Sequence, residues 1–366
     1  MKNKLILTLL AALFIAGCGD SKIDFSQKNE PGTDLVSAGL LKEAGLQTDW
    51  QIDISLMSGE KINHLLVAES FVYVITDINT VFCFDRFNGN LRFIRQLARP
   101  NLPMNRPTEY QGALYTVVGD ELWKLDPQTA SVKMVQNLVN SSVCPIVLTR
   151  ENLYVCGLDN RVSCYDKDDK WLKFQITADN DSAITSLIVE GEFMWFATEE
   201  GNVFSTSSYE PVRYWAFNAS GKISGSIAKN DKYVYVSSED TMVYKLSAAT
   251  GRLAWKAPLG SRLIERANVY DDYVYQQTSG GGIFALDNET GNIVWKDPAA
   301  KSFVARDGDD VYVFTEDKTL NVMSNNDKGS RLKINFSNVD RCGLNTYDEN
   351  IYILSNDGKL GKISKK

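Results

Sequence analysis

Ala285-Leu286-Asp287-Asn288-Glu289-Thr290-Gly291-Asn292-Ile293-Val294-Trp295, together with Tyr273-Val274-Tyr275 just before it, is the stretch whose reading decides the fold. Val274-Tyr275, residues 283–286 and residues 293–295 are short apolar runs rich in β-formers and bounded by turn residues, so they predict three consecutive antiparallel strands. Between the second and third, Asp287 can accept hydrogen bonds from backbone N–H groups of its own turn, and Gly291 can take the positive φ that closes the hairpin. Trp295 is then left on a sheet face that only a neighbouring sheet could bury.

The same pattern recurs along the chain. Its first-strand aromatic returns as Tyr73, Tyr115, Tyr154, Trp195, Tyr235, Tyr275, Tyr312 and Tyr352, at steps of 42, 39, 41, 40, 40, 37 and 40 residues. The tryptophan slot is filled by Phe93, Met134, Phe174, Trp215, Trp255 and Trp295, with Leu332 in the most divergent unit. Every occupant is large and apolar.

The ends of the chain complement one another. Residues 48–53 match the third strand of a repeat, with Trp50 in the tryptophan slot, whereas residues 351–363 supply first and second strands and stop where a third would come. Ring closure follows: the N-terminal strand completes the last C-terminal sheet and removes the open edge. The expected fold is all-β, an eight-bladed propeller of four-stranded antiparallel blades over residues 46–366. The innermost strands are expected within residues 62–68, 143–148, 183–189, 222–228, 263–269 and 302–305, rich in small and hydroxyl side chains that suit a crowded axis.

Residues 1–17 read as a targeting segment, with Lys2 and Lys4 ahead of an apolar run too short to span a bilayer comfortably. Ile15-Ala16-Gly17-Cys18 resembles the bacterial lipobox, which implies lipidation of Cys18. Gly19 follows the cysteine in place of the aspartate that would resemble an inner-membrane retention signal, so the resemblance implies sorting to the outer membrane. Residues 18–45 are expected to be the lipidated cysteine and a flexible tether, followed by either a short helix around Leu35, Ala38, Leu41 and Leu46 or an irregular lead-in. The mature chain carries 37 basic against 46 acidic residues, a net charge of −9, which speaks against nucleic acid as a partner.

The pattern Ala-x-Asp-x-x-x-Gly-x-x-x-Trp resembles the docking motif of the quinoprotein (PQQ-like) β-propeller family, in which the tryptophan wedges between blades. Ala285, Asp287, Gly291 and Trp295 match it fully, Gly251 and Trp255 match with Lys245 and Ser247 in place of alanine and aspartate, and the other units are degenerate. The resemblance identifies Trp50, Phe93, Phe174, Trp215, Trp255, Trp295, Gly251 and Gly291 as blade-docking residues. Within the family, the lipoprotein signal and blade number are similar to those of a scaffold lipoprotein of the outer-membrane β-barrel assembly machinery. That implies a non-enzymatic periplasmic protein, lipid-anchored to the outer membrane, binding protein partners such as that assembly complex. An Asp-Leu-Arg-Ser loop, which the resemblance would place on the partner-binding face, does not occur. The alternative within the fold is a lineage-specific periplasmic propeller that binds another protein or a glycan. A quinone-dependent dehydrogenase is disfavoured because those enzymes are longer and carry an adjacent cysteine pair, and here no two cysteines are adjacent. No catalytic residue, cofactor or metal site is expected, and His64, the single histidine, leaves no room for a histidine-rich centre.

Counting nine residues back from the first-strand aromatic places His64, Arg106 and Arg266 at equivalent inner positions of the first, second and sixth blades. Equivalent positions lie on one ring around the axis, so these residues, with Glu265 as internal counter-charge, are the candidate lining of a cationic channel mouth. The proline-dense segment 99–107 is read as either a partner surface through Leu102 and Met104 or a rigid connector between blades. Of the cysteines, Cys156 and Cys164 face each other across a turn only if the loop has the right length, and Cys144 and Cys342 are expected on innermost strands.

Overall fold

The computed structural model of the protein describes the backbone of Ile23–Phe25 and all of residues 34–366; residues 1–17 and Cys18 lie outside the described residues. Its strands form eight sheets, each containing four antiparallel strands, consecutive in the chain in all but the last. In the sixth blade the strands are Asn268–Val269, Tyr273–Gln277, Ile283–Asp287 and Ile293–Asp297, with Tyr275 opposite Ala285 and Ala285 opposite Trp295. The strand Leu46–Asp53 pairs antiparallel with Lys359–Lys365, Leu46 opposite Lys365 and Asp53 opposite Lys359. The first strand of the propeller is therefore the outer strand of its last blade.

The turn that opens each outer strand is made as its chemistry predicts. Asp287 accepts a bond at Oδ1 from the Thr290 N–H at 2.8 Å, the Gly291 N–H donates to the Asp287 carbonyl at 2.8 Å, and Gly291 sits at φ 76°. Equivalent turns recur at Asp85, Asp126 and Asp166, but their left-handed residues are Gly89, Ala130 and Lys170. The turn outlives its glycine. Glycine is required where the wedge of the preceding blade lies on it: a Cβ on Gly291 would stand 2.8 Å from Trp255, one on Gly251 2.7 Å from Trp215, and one on Gly89 2.8 Å from Trp50.

The residue after the turn aspartate or serine is where adjacent blades bond. Asn288 accepts from the Tyr235 hydroxyl at 2.6 Å on Oδ1 and from the Trp255 indole N–H at 2.9 Å on its carbonyl. The Ala248 carbonyl accepts both the Trp195 and Trp215 indoles, at 3.1 and 3.0 Å. Asn325 donates to the Tyr275 hydroxyl at 2.8 Å and accepts from Trp295 at 2.8 Å. The repeating aromatic and the wedge thus reach one point on the next blade, where their polar tips are satisfied and their rings buried. In the first blade that position is Arg86, whose guanidinium pairs with Asp348 at 2.9 Å, and the buried Trp50 Nε1 makes no hydrogen bond.

Lys245, which replaces the motif alanine, joins the same node: its ammonium donates to the Asn288 carbonyl at 2.6 Å and stands 4.1 Å from the centre of the Tyr233 ring.

Two expectations need correction. Several innermost strands are short, only Val147–Leu148, Ala228–Lys229 and Asn268–Val269, because the inner segments crowd one another and bond through side chains instead of a ladder. A Cβ on Gly225 would stand 2.6 Å from the Ile264 carbonyl of the next blade, the Ile227 N–H donates to Ser186 Oγ at 3.0 Å, and Gln276 donates to the Glu265 carbonyl at 3.0 Å. Cys144 accordingly lies in the bend before Val147–Leu148, although Cys342 is on the strand Arg341–Gly343. Within the segment read as a tether, Ile23–Phe25 instead runs parallel to the outer strand Gly329–Asn335, where the seventh blade would otherwise leave its edge unpaired.

The lead-in contains a helix, Ala38–Glu43, whose Leu40 and Leu41 pack with Leu35 and Leu46 against Ile334, Phe336 and Ile363 of the last two blades. All five described cysteines are free. Cys156 pairs with Val162 and Cys164 with Tyr154, so the two are not opposite one another.

Candidate functional site

The docking residues are all committed to the ring, which leaves the axis and the connecting loops for chemistry. His64 lies on the inner strand Ile62–Val67, while Arg106 and Arg266 precede the inner strands Thr108–Tyr110 and Asn268–Val269 by two residues each. Arg106, Glu265 and Arg266 line one open cavity of about 450 Å³ at the axis, as the register count predicts for them, whereas the first blade contributes Leu65 to the lining and not His64. The same cavity receives Lys301, Asp340 and Arg341, with Leu65, Phe303 and Leu344 as apolar wall.

Arg341 is the residue that the register count misses. Nine residues before Tyr352 is Gly343, and the arginine stands two positions earlier. Its side chain reaches across to the first blade, where Nη1 donates to the Asn63 carbonyl and Nη2 to the Ile62 carbonyl, both at 2.6 Å. Carbonyl oxygens orient the guanidinium without neutralising it.

The charges around this cavity do not cancel locally. Arg106 and Arg266 make no ion pair and no side-chain hydrogen bond among the described residues, and neither does the carboxylate of Glu265. Asp340 is held by Lys318 at 2.7 Å and by the Asn356 N–H at 2.6 Å, and Lys301 faces Glu316 at 3.7 Å. Three arginines therefore share a cavity with Glu265, which is unpaired, and Asp340, which pairs with Lys318 and also feels the charge of Arg341. Arg266 is open to solvent at the cavity, and although the protein packed around it disfavours its charge, a guanidinium stays protonated at neutral pH. The pKa of His64 is pushed below its ordinary value by desolvation first and then by the positive charges of Arg106 and Arg341.

The proline-dense segment forms a second concavity, of about 800 Å³, between the first two blades, with Pro100, Leu102 and Trp123 in its lining. Asn79 Nδ2 fastens the loop by donating to the carbonyls of Arg99 at 2.9 Å and Leu102 at 3.0 Å. Leu102 is exposed, as expected of a partner surface, but Met104 is not: it bridges to Val118 and packs against the core shared by the first two blades. The segment is a fixed connector that exposes the apolar side chains of Pro100, Leu102 and Pro103. Exposed apolar residues do occur along neighbouring outer strands, at Leu91 and Ile94, Val132 and Val135, and next to the third blade's outer strand at Trp171.

A family model, PQQ_2, described as "Outer membrane protein assembly factor BamB", matches residues 212–336. That span runs from the outer strand of the fourth blade to the end of the seventh and contains Gly251, Trp255, Gly291 and Trp295, the units in which the docking motif is best preserved. A comparison with curated proteins finds no match. Among solved structures, the chain is similar to BamB from Moraxella catarrhalis, with a TM-score of 0.68 and 13% identity over 88% of this chain and 98% of that one. It is also similar to the computationally designed Ika8 protein, with a TM-score of 0.67 and 14% identity over 83% and 96% of the two chains. The C-terminal WD40 domain of Sif2 gives a TM-score of 0.64 and 13% identity over 87% and 98%. At such identities the likeness is one of fold. The chain is an eight-bladed propeller, and the repeats within residues 212–336 match that family model.

Proposed function

We propose that this PQQ-like propeller is a non-enzymatic scaffold that binds protein partners in the periplasm, tethered to the outer membrane by lipid on Cys18, and that it serves the assembly of outer-membrane proteins. The observation that carries this reading is the match of residues 212–336 to a family model described as an outer-membrane protein assembly factor. Three further features support it. The motif residues that give the quinoprotein family its signature are committed here to blade docking, with Trp255 against Gly291 and Trp215 against Gly251. A rigid ring that displays short loops and exposed apolar side chains at Leu91, Ile94, Val135 and Trp171 is a suitable platform for protein contacts. The lipobox-like run before Cys18 would hold such a platform at a membrane.

Crosslinking in cells followed by affinity purification of the full-length lipidated chain tests the proposal. Recovery of the β-barrel assembly core is expected, and loss of that recovery on Ile94→Asp would place the contact on the outer rim. Recovery of a redox chain or of a glycan, without any assembly component, would overturn it.

A further inference from the structure

We propose that the axial cavity is a binding site for an oxyanion ligand, whose carboxylate or phosphate groups are taken by Arg106, Arg266 and Arg341. The proposal stands apart from the scaffold reading: it concerns a small ligand in the channel, and either could fail without the other.

Geometry comes first. The arginines arrive from the second, sixth and eighth blades at one cavity of about 450 Å³. That volume lies within the range of small-molecule sites, roughly 300–1,000 Å³. Arg341 is already held by two backbone carbonyls, so little side-chain freedom would be lost when it binds. The unused N–H groups of Arg106 and Arg266 are the complement of a carboxylate or phosphate edge.

The electrostatics point the same way. The whole chain carries a net charge of −7, yet here Arg106, Arg266, Arg341 and Lys301 gather against Glu265 and Asp340, and Asp340 is shared between Lys318 and Arg341. Gathering like charges in a partly desolvated channel costs free energy, which an entering anion would recover. Leu65, Phe303 and Leu344 on the wall suit an apolar spacer between anionic groups.

Calorimetric titration of the detergent-solubilised full-length chain at fixed ionic strength tests this, with citrate as the carboxylate probe and inorganic pyrophosphate as the phosphate probe. Saturable binding at one site is expected for at least one probe. Citrate alone would identify carboxylate as the group recognised, pyrophosphate alone would identify phosphate, and both would indicate a general oxyanion site. Arg106→Gln and Arg266→Gln should each weaken binding about tenfold or more, as expected for loss of a charge-assisted bond. Arg150→Gln, on an exposed loop, should leave affinity unchanged. Glu265→Gln removes the repulsive carboxylate and should tighten binding several-fold, so it provides a reading even if an arginine variant folds poorly. Absence of binding by both probes, or equal weakening by Arg150→Gln and Arg106→Gln, would overturn the proposal.

Discussion

Replacing Gly291 with alanine is expected to destabilise the protein by about 3 kcal/mol, read as a lower urea midpoint at unchanged slope. Two costs combine. The residue sits at φ 76°, where a Cβ costs roughly 1–2 kcal/mol, and that Cβ would also stand 2.8 Å from Trp255, forcing the wedge out of its seat. Gly45 separates the two. Its φ is 73°, but a Cβ there meets nothing within 4 Å, so Gly45→Ala should cost only about 1 kcal/mol, the backbone part alone. Equal losses at the two positions would mean that the tryptophan does not bear on the glycine.

Removal of the closing strand should have a larger effect. A chain beginning at residue 56 lacks Leu46–Asp53, and with it seven register pairs to Lys359–Lys365. It also lacks Trp50 and Ile52, which pack with Val72, Phe84 and Leu360 between the first and last blades, and the ion pairs Lys362–Asp49 at 3.1 Å and Lys359–Asp53 at 2.8 Å. Trp50 is partly buried, so its loss alone costs less than the about 3–5 kcal/mol of a fully buried tryptophan, but loss of the whole strand should exceed about 5 kcal/mol, comparable to the total stability of many domains. The exposed edge of Lys359–Lys365 should make the truncated chain associate. A permuted chain that starts at residue 56 and carries residues 34–55, and so also the helix that packs on the last two blades, on a linker after Lys366 should recover cooperative unfolding as a monomer. If the truncated chain unfolds like the parent, the ring is not closed there.

The legible parts of the fold were those in which local chemistry demands a particular residue. Asp287 with Gly291 names a turn, Trp295 demands a neighbour to cover it, and the unmatched strand at Trp50 asks for the unmatched sheet at the C-terminus. What stayed hidden depends on residues about one repeat away. Nothing local to Asn288 announces that it receives Tyr235, Trp255 and Lys245 from the preceding blade. The positive φ of Ala130 and Lys170 is imposed by the surrounding hairpin and is invisible in residue type. Short inner strands were unreadable because their polar groups are satisfied by side chains such as Ser186 and Gln276, not by a periodic ladder. At the channel, a count along the repeat found Arg106 and Arg266, placed His64 on the same ring although Leu65 and not His64 lines the cavity, and missed Arg341, which reaches it by side-chain length from a different register.

The positive channel mouth can be measured at one residue. His64 is the only histidine in the chain, so its imidazole resonances can be followed by NMR without assignment. Desolvation and the charges of Arg106 and Arg341 hold its pKa below the ordinary 6.5, so the folded protein takes up this proton less readily than the unfolded chain. The stability associated with neutral His64 is therefore intact above about pH 6.5 and is lost as the pH falls through the lower folded value. A titration midpoint below 6.5 that rises in both Arg106→Gln and Arg341→Gln is the predicted result. A midpoint at or above 6.5, unmoved by either substitution, would contradict a cationic channel mouth.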